Sequence, residues 1–143
     1  MPDPRVADRR RAWLVLASLG LTFVLLRVAL GVSPNSDFDV AGYNVHHLFV
    51  GVVLIVVAGV PLALIAGRGW WIDLASVLFG SGLALALDEW VYLIVTDGSN
   101  ASYLLPVSLW GGVVAVGLAC LYVGVLLRAA GTARADSVKP PDF

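Results

Sequence analysis

The sequence predicts an all-α fold, an integral membrane four-helix bundle of up-down topology, and three observations predict it. Of 143 residues, 59% are hydrophobic and only 13% charged, with a mean hydropathy of +0.90; soluble domains average about 45–50% apolar and about 25% charged residues. The apolar residues fall into four blocks, each close to the roughly 20 residues needed to cross about 30 Å of hydrocarbon. The segments between the blocks are short and rich in the Gly, Asn, Asp, Ser and Pro that interrupt helices. This composition excludes a soluble globular domain, a disordered chain and a disulfide scaffold. A formal net charge of −1 gives no global basic character to suggest nucleic acid as a partner, and the lipid bilayer is the expected surrounding.

The elements follow in order. A basic tail, residues 1–11, leads into a first span, Ala12–Val32, whose one polar interruption of note is Arg27. After a link at Ser33–Asn44, the second span, Val45–Ala66, opens on His46 and His47 and carries Pro61 near its far end. A tight Gly67-Arg68-Gly69 turn gives the third span, Trp70–Val95, which contains Asp73, Asp88 and Glu89. The link Thr96–Ser102 precedes the fourth span, Tyr103–Leu127, and residues 128–143 form the second tail. The whole chain reads as one transmembrane domain, residues 1–143, in which short links make successive helices antiparallel neighbours. Cys120, the one cysteine, lies mid-span and reads as a small packing residue. Asn100-Ala101-Ser102 fits the glycosylation pattern, but so near a membrane surface it reads as a loop.

Orientation comes from the basic residues, which concentrate in short cytoplasmic segments. Arg5, Arg9, Arg10, Arg11, Arg68, Arg128, Arg134 and Lys139, eight of nine, fall on one side, whereas the opposite side carries Asp37, Asp39 and Asp97. Both termini are therefore expected in the cytoplasm, in a multi-pass protein of the cytoplasmic (plasma) membrane. Trp13, Trp70 and Trp71 serve as interfacial anchors at the inner level and Trp90 nearer the outer one. A cleaved twin-arginine signal, with Arg9-Arg10-Arg11 as its basic run and Ala29-Leu30-Gly31 as its cleavage site, is the alternative reading of the N-terminus. The apolar core of such a signal is about 7–15 residues; here the stretch continues past Arg27, so an uncleaved helix is expected.

Helices in a bilayer associate through close-packed small residues and interhelical hydrogen bonds. Ser76, Gly80, Ala84 and Asp88 recur every four residues on the third span, and Ala75, Gly82, Ala86 and Glu89 run beside them. His47, Gly51, Ile55 and Gly59 form such a stripe on the second span, and Ser108, Gly112, Ala115 and Ala119 on the fourth. These faces are expected to be buried, which turns His47, Asp88 and Glu89 inward.

Depth then brings the ionisable residues together. At a rise of about 1.5 Å per residue, Arg27 lies about 22 Å into its span, Asp88 about 27 Å up the third, and His46 and His47 in the first turn of the second. Five ionisable residues from three helices thus reach one level: Arg27, His46, His47, Asp88 and Glu89. Charges at such depth pair with one another, and Arg27, which stays protonated, requires Asp88 or Glu89. Two acids against one arginine leave a surplus negative charge, to be met by a protonated acid, a charged histidine or a bound cation.

The pattern His46-His47-Leu48-Phe49-Val50-Gly51, followed one span later by Gly80-Ser81-Gly82 and Asp88-Glu89-Trp90, is similar to a set of small, uncharacterised prokaryotic four-span membrane proteins. In these a His-His pair followed by Gly opens one helix, and Gly-x-Gly leads to Asp-Glu in the next. The resemblance covers the second and third spans and implies that His46, His47, Asp88 and Glu89 belong to one site. It implies no activity, and Arg27 rests on the depth argument alone.

Three uses of such a cluster are open. A structural ion-pair network makes the protein a binding or scaffolding one, with a second copy or another membrane protein as partner. A metal centre would draw zinc, iron or manganese to His47 with Glu89, Asp88 and His46 as the candidate ligands. Neighbours on a helix point about 100° apart, so one histidine and one acid are expected to face the centre. An acid and histidine relay makes it a small proton- or cation-coupled transporter. A membrane-embedded enzyme acting on lipid comes third as a function. No HExxH pair, phosphate loop or Ser-His-Asp arrangement supports an enzyme, so the sequence leans to a protein without catalytic activity and assigns no catalytic residue.

Overall fold

A computed structural model describes residues 9–32, 39–40, 43–44, 46–65 and 67–137. Along the chain run α1 (Arg9–Val32), β1 (Asp39–Val40), β2 (Tyr43–Asn44), α2 (His47–Leu64), α3 (Trp70–Val95), the single turn α4 (Asn100–Tyr103) and α5 (Pro106–Ser137). Four stretches are long and apolar enough to cross a membrane: Arg9–Val32, His47–Leu64, Trp70–Val95 and Pro106–Ala129. The protein is an all-α, multi-pass membrane protein built as an up-down bundle. The four spans of the sequence reading are thus present, with shifts at three of them.

Each shift has a local cause. The helix α1 starts at Arg9 rather than Ala12, since nothing in the three arginines opposes helix. His46 is extended, with φ −56° and ψ 135°, which moves the start of α2 to His47. At the fourth span the expected start, Tyr103, closes the separate turn α4 instead. Pro106 stands at the first position of α5, where its missing N–H costs nothing, and it disfavours helix in the residue before it. Beyond Leu127 the chain meets no proline before Lys139, and α5 continues to Ser137. Within the first link β1 and β2 pair antiparallel, Asp39 opposite Asn44 and Val40 opposite Tyr43, a contact the sequence reading did not foresee.

The helix α3 is the spine. It packs against α1, α2 and α5, whereas α1 rests on α3 rather than on α2, its neighbour in sequence. Small residues explain why α3 takes this place. Ser76, Gly80, Ala84 and Asp88 are all buried on it, as are Ala75, Gly82 and Glu89. A Cβ on Gly51 would lie 2.6 Å from the Gly82 carbonyl oxygen, and one on Gly82 would lie 2.8 Å from the Gly51 carbonyl oxygen. Here α2 and α3 meet backbone to backbone. Gly80 likewise receives the Val15 carbonyl and the Ser18 hydroxyl of α1, and a Cβ on Gly111 would meet Val91 at 2.5 Å. The apolar core of Leu19, Ala84 and Val116, with Phe23, Leu83 and Leu87 against it, fills the bundle between these contacts. Outward faces are apolar as lipid requires, with Val24, Val53, Val57 and Leu118 all more than half exposed.

Polar contacts close both ends. At the basic end Arg10 Nη2 lies 2.7 Å from Asp73 Oδ2, and Arg11 donates to the Gly67 carbonyl. Gly67 has φ +111°, a left-handed geometry that suits glycine in the tight turn. At the other end Asp97 Oδ1 accepts from the Ser102 hydroxyl and from the Ser99 N–H at 3.0 Å. The Ser102 hydroxyl first, and then Ser99, hold the Asp97 carboxyl at about 2, below its ordinary 3.8.

Two outcomes follow from this packing. Gly82→Val or Gly51→Leu should lower the stability of the protein in detergent by about 1–3 kcal/mol through overpacking, whereas Gly117→Ala, with nothing within 4 Å, should leave it unchanged; equal melting of all three would contradict the backbone contact. Because the Asp97 carboxyl is depressed on folding, its contribution is complete above pH 3.8 and disappears as pH falls toward 2. Carboxylate titration followed by NMR should place Asp97 near that value in the wild type and higher in Ser102→Ala, where the Ser99 N–H still donates to it.

Candidate functional site

Close to the Asp97 end, four elements converge on Asp88 and Glu89 of α3. Asp88 is fully buried and Glu89 is 3% exposed. From α1, Arg27 Nε donates to Asp88 Oδ1 at 2.6 Å, and its Nη2 donates to the Ser108 carbonyl of α5 at 3.0 Å. The guanidinium also lies over the Tyr103 ring, 4.6 Å from its centroid, a favourable cation–π position. Tyr103 in turn gives its hydroxyl to Asp88 Oδ2. Gly112 makes this possible, since a Cβ there would lie 3.0 Å from Asp88 Oδ1 and 3.2 Å from Arg27 Nη2.

The histidines arrive from the start of α2. His47 Nε2 lies 3.2 Å from Asp88 Oδ2 and its Nδ1 lies 3.2 Å from Glu89 Oε1. His46 Nδ1 lies 3.2 Å from the same Glu89 oxygen. The other oxygen, Oε2, accepts the Leu48 N–H at 2.8 Å. That N–H belongs to the first turn of α2, where no intrahelical partner exists, and His46 makes no side-chain cap there. Glu89 therefore caps α2 from a neighbouring helix, its negative charge set against the positive end of the α2 dipole.

Both histidines and both acids thus join one cluster, against the expectation that one of each pair faces the centre. The 100° step applies only within a helix, and His46 precedes α2 in extended backbone. On α3 both acids find partners because the spine is enclosed from several sides, Asp88 turning to α1 and α4 and Glu89 to α2. The sequence reading missed Tyr103, Ser108 and the Leu48 N–H. By hydropathy Tyr103 is the first residue of a span, although an aromatic hydroxyl at the depth of Arg27 is the available signal; Ser108 lies on the small stripe of the fourth span, a pattern that indicates packing alone.

Proton accounting follows from the geometry. Carboxylates only accept, and a neutral imidazole has one donor and one acceptor. With both His47 nitrogens opposite carboxylate oxygens, the cluster needs one extra proton, on the imidazole or on an acid. Placed on His47, that proton makes two cations face two carboxylates, which removes the surplus charge. The zinc, iron or manganese reading of His47, Glu89, Asp88 and His46 finds no support in this arrangement. Among the described residues no group of three or more His, Cys, Asp or Glu is placed to hold a metal ion, and His47 and Asp88 already spend both ring nitrogens and both oxygens on one another and on Arg27, Tyr103 and Glu89.

No protein-family model, curated protein or solved structure matches the chain. The site is accordingly read from its own geometry.

Removing one partner of a buried ion pair costs about 3–5 kcal/mol because the other charge is left uncompensated. Arg27→Leu should destabilise the protein by about that amount, and Asp88→Asn added to it should restore part of the loss. Thermal melting in detergent decides: wild-type melting of the single variant would show that Arg27 reaches water rather than Asp88.

Proposed function

We propose that this is a binding or scaffolding membrane protein in which the cluster holds four helices in one register. Both termini lie in the cytoplasm, and the cluster sits just beneath the outer surface of the plasma membrane. The observation that carries the reading is saturation: among the described residues no buried side-chain nitrogen or oxygen lacks a hydrogen-bond partner. A fully satisfied polar network rigidifies and specifies packing, and in a bilayer hydrogen bonds between helices replace the hydrophobic drive that lipid does not supply. The scaffolding reading assigns the partner, a second copy or another membrane protein, to the outward apolar faces.

One observation favours a second reading, proton- or cation-coupled transport. Asp88, His47, Glu89 and His46 form a continuous acid and imidazole chain that runs from a fully buried carboxylate to a side chain 24% exposed. On the other side of the cluster, however, stand Leu19, Ala84 and Val116, with Phe23 and Leu87 against them. Thr22 donates to the Ser81 hydroxyl beside that core, but no acid or imidazole continues the chain toward the basic end among the described residues of this layer, which supports the structural role over a through-path.

Proteoliposomes carrying a pH-sensitive dye distinguish the two. The scaffolding reading expects no proton flux above protein-free vesicles, with Glu89→Gln lowering only the melting temperature. A flux that Glu89→Gln abolishes would overturn it in favour of transport. For topology, Cys120→Ala provides a background for single cysteines: Ala101→Cys should react with an impermeant maleimide outside intact cells and Arg68→Cys should not, and the reverse pattern would invert the orientation.

A further inference from the structure

The end of the bundle opposite the cluster carries charge that the cluster does not use. By sequence, eight of the nine basic residues precede the first span, lie in the link between the second and third or follow the fourth, against five aspartates, Asp3, Asp8, Asp73, Asp136 and Asp142. The surplus there is three positive charges. In the sequence the links at the other end, 33–44 and 96–102, hold three aspartates and no base, the opposite sign.

The basic surface is assembled from distant parts of the chain. The Arg10–Asp73 ion pair, 2.7 Å, and the Arg11 bond to the Gly67 carbonyl tie the start of α1 to the turn before α3. Around the arginines stand three large indoles. Trp70 and Trp71 are stacked, centroids 3.5 Å apart at 29°, yet they are 62% and 65% exposed, and Trp13 on α1 is 65% exposed. Indoles with an apolar body and an N–H prefer the headgroup level of a bilayer. Trp13 lies one turn from Arg9, and Trp71 three residues from Arg68, so each aromatic anchor has a cation just outside it.

We propose that this end is a binding surface for anionic phospholipid headgroups. Arg9, Arg10 and Arg68 donate to the lipid phosphates, whose oxygens match the arginine fork, while Trp13, Trp70 and Trp71 seat at the glycerol level. An anionic leaflet attracts the surplus of three charges, and the tie between α1 and the α3 turn keeps the arginines together.

Trp90→Phe with Trp110→Phe leaves Trp13, Trp70 and Trp71 as the reporting indoles, and this background serves as the wild type. Full-length protein is reconstituted in phosphatidylcholine containing brominated phosphatidylglycerol or, separately, brominated phosphatidylcholine, and the relative association constant is read from tryptophan quenching. The wild type should prefer the anionic lipid by about tenfold or more, the preference should shrink with added salt, and Arg9→Gln and Arg68→Gln should each reduce it about fivefold. Equal quenching by the two lipids, or a preference that neither salt nor the substitutions change, overturns the proposal. Inorganic phosphate added to phosphatidylcholine vesicles should not compete at physiological salt; loss of the lipid preference at that concentration would show a site for free phosphate and overturn it too. Circular dichroism of both variants checks that the fold is retained, and the salt titration of protein with all its arginines intact tests the surface without altering one.

Discussion

The fully buried carboxylate of Asp88 is the constraint on which the rest depends. A carboxylate inside a bilayer cannot remain unpaired without a cost of several kcal/mol, and α3 offers it no partner of its own. The partners come from elsewhere: Arg27 from α1, His47 from α2 and Tyr103 from α4, with Ser108 of α5 holding the far side of the arginine. One buried charge thereby sets where each of the other elements must stand. Glu89 adds a second tie by capping α2 from outside it.

Close approach is what lets these short bonds form. Three helices reach the spine at glycines, α2 at Gly51 and Gly82, α1 at Gly80, and α5 at Gly111 and Gly112. Of these, Gly112 bears most directly on the cluster, since any side chain there would intrude between Arg27 and Asp88. Packing and polar satisfaction are therefore one arrangement: the glycines bring the backbones together, and the ion pair fixes how far each helix slides along its neighbour.

Much of this was legible in the sequence. Hydropathy and link length gave the number of spans and the up-down order, because a bilayer leaves a hydrophobic segment few alternatives. The depth of Arg27, His46, His47, Asp88 and Glu89 followed from counting residues at a fixed rise, and the four-residue stripes marked the buried faces. What escaped was local. The break between α4 and α5 depends on Pro106, whose effect competes with an apolar pattern continuing across it, and the convergence of both histidines depends on the extended backbone at His46. That α1 rests on α3 rather than on α2 could not be read from link length, because a longer first link permits either neighbour.

Labour is divided along the bundle axis, with a saturated polar lock at one end, an apolar core beneath it and a basic, tryptophan-rich rim at the other end. The lock depends on direct contact between Arg27 and Asp88. Magic-angle-spinning NMR of protein in lipid bilayers, labelled with 15N at arginine and 13C at aspartate, measures that contact without altering a residue. The account predicts a strong dipolar coupling between Arg27 Nε and the Asp88 carboxyl carbon, as the 2.6 Å Nε–Oδ1 contact requires. Absence of that coupling, with the Arg27 signal instead in contact with water, would contradict it.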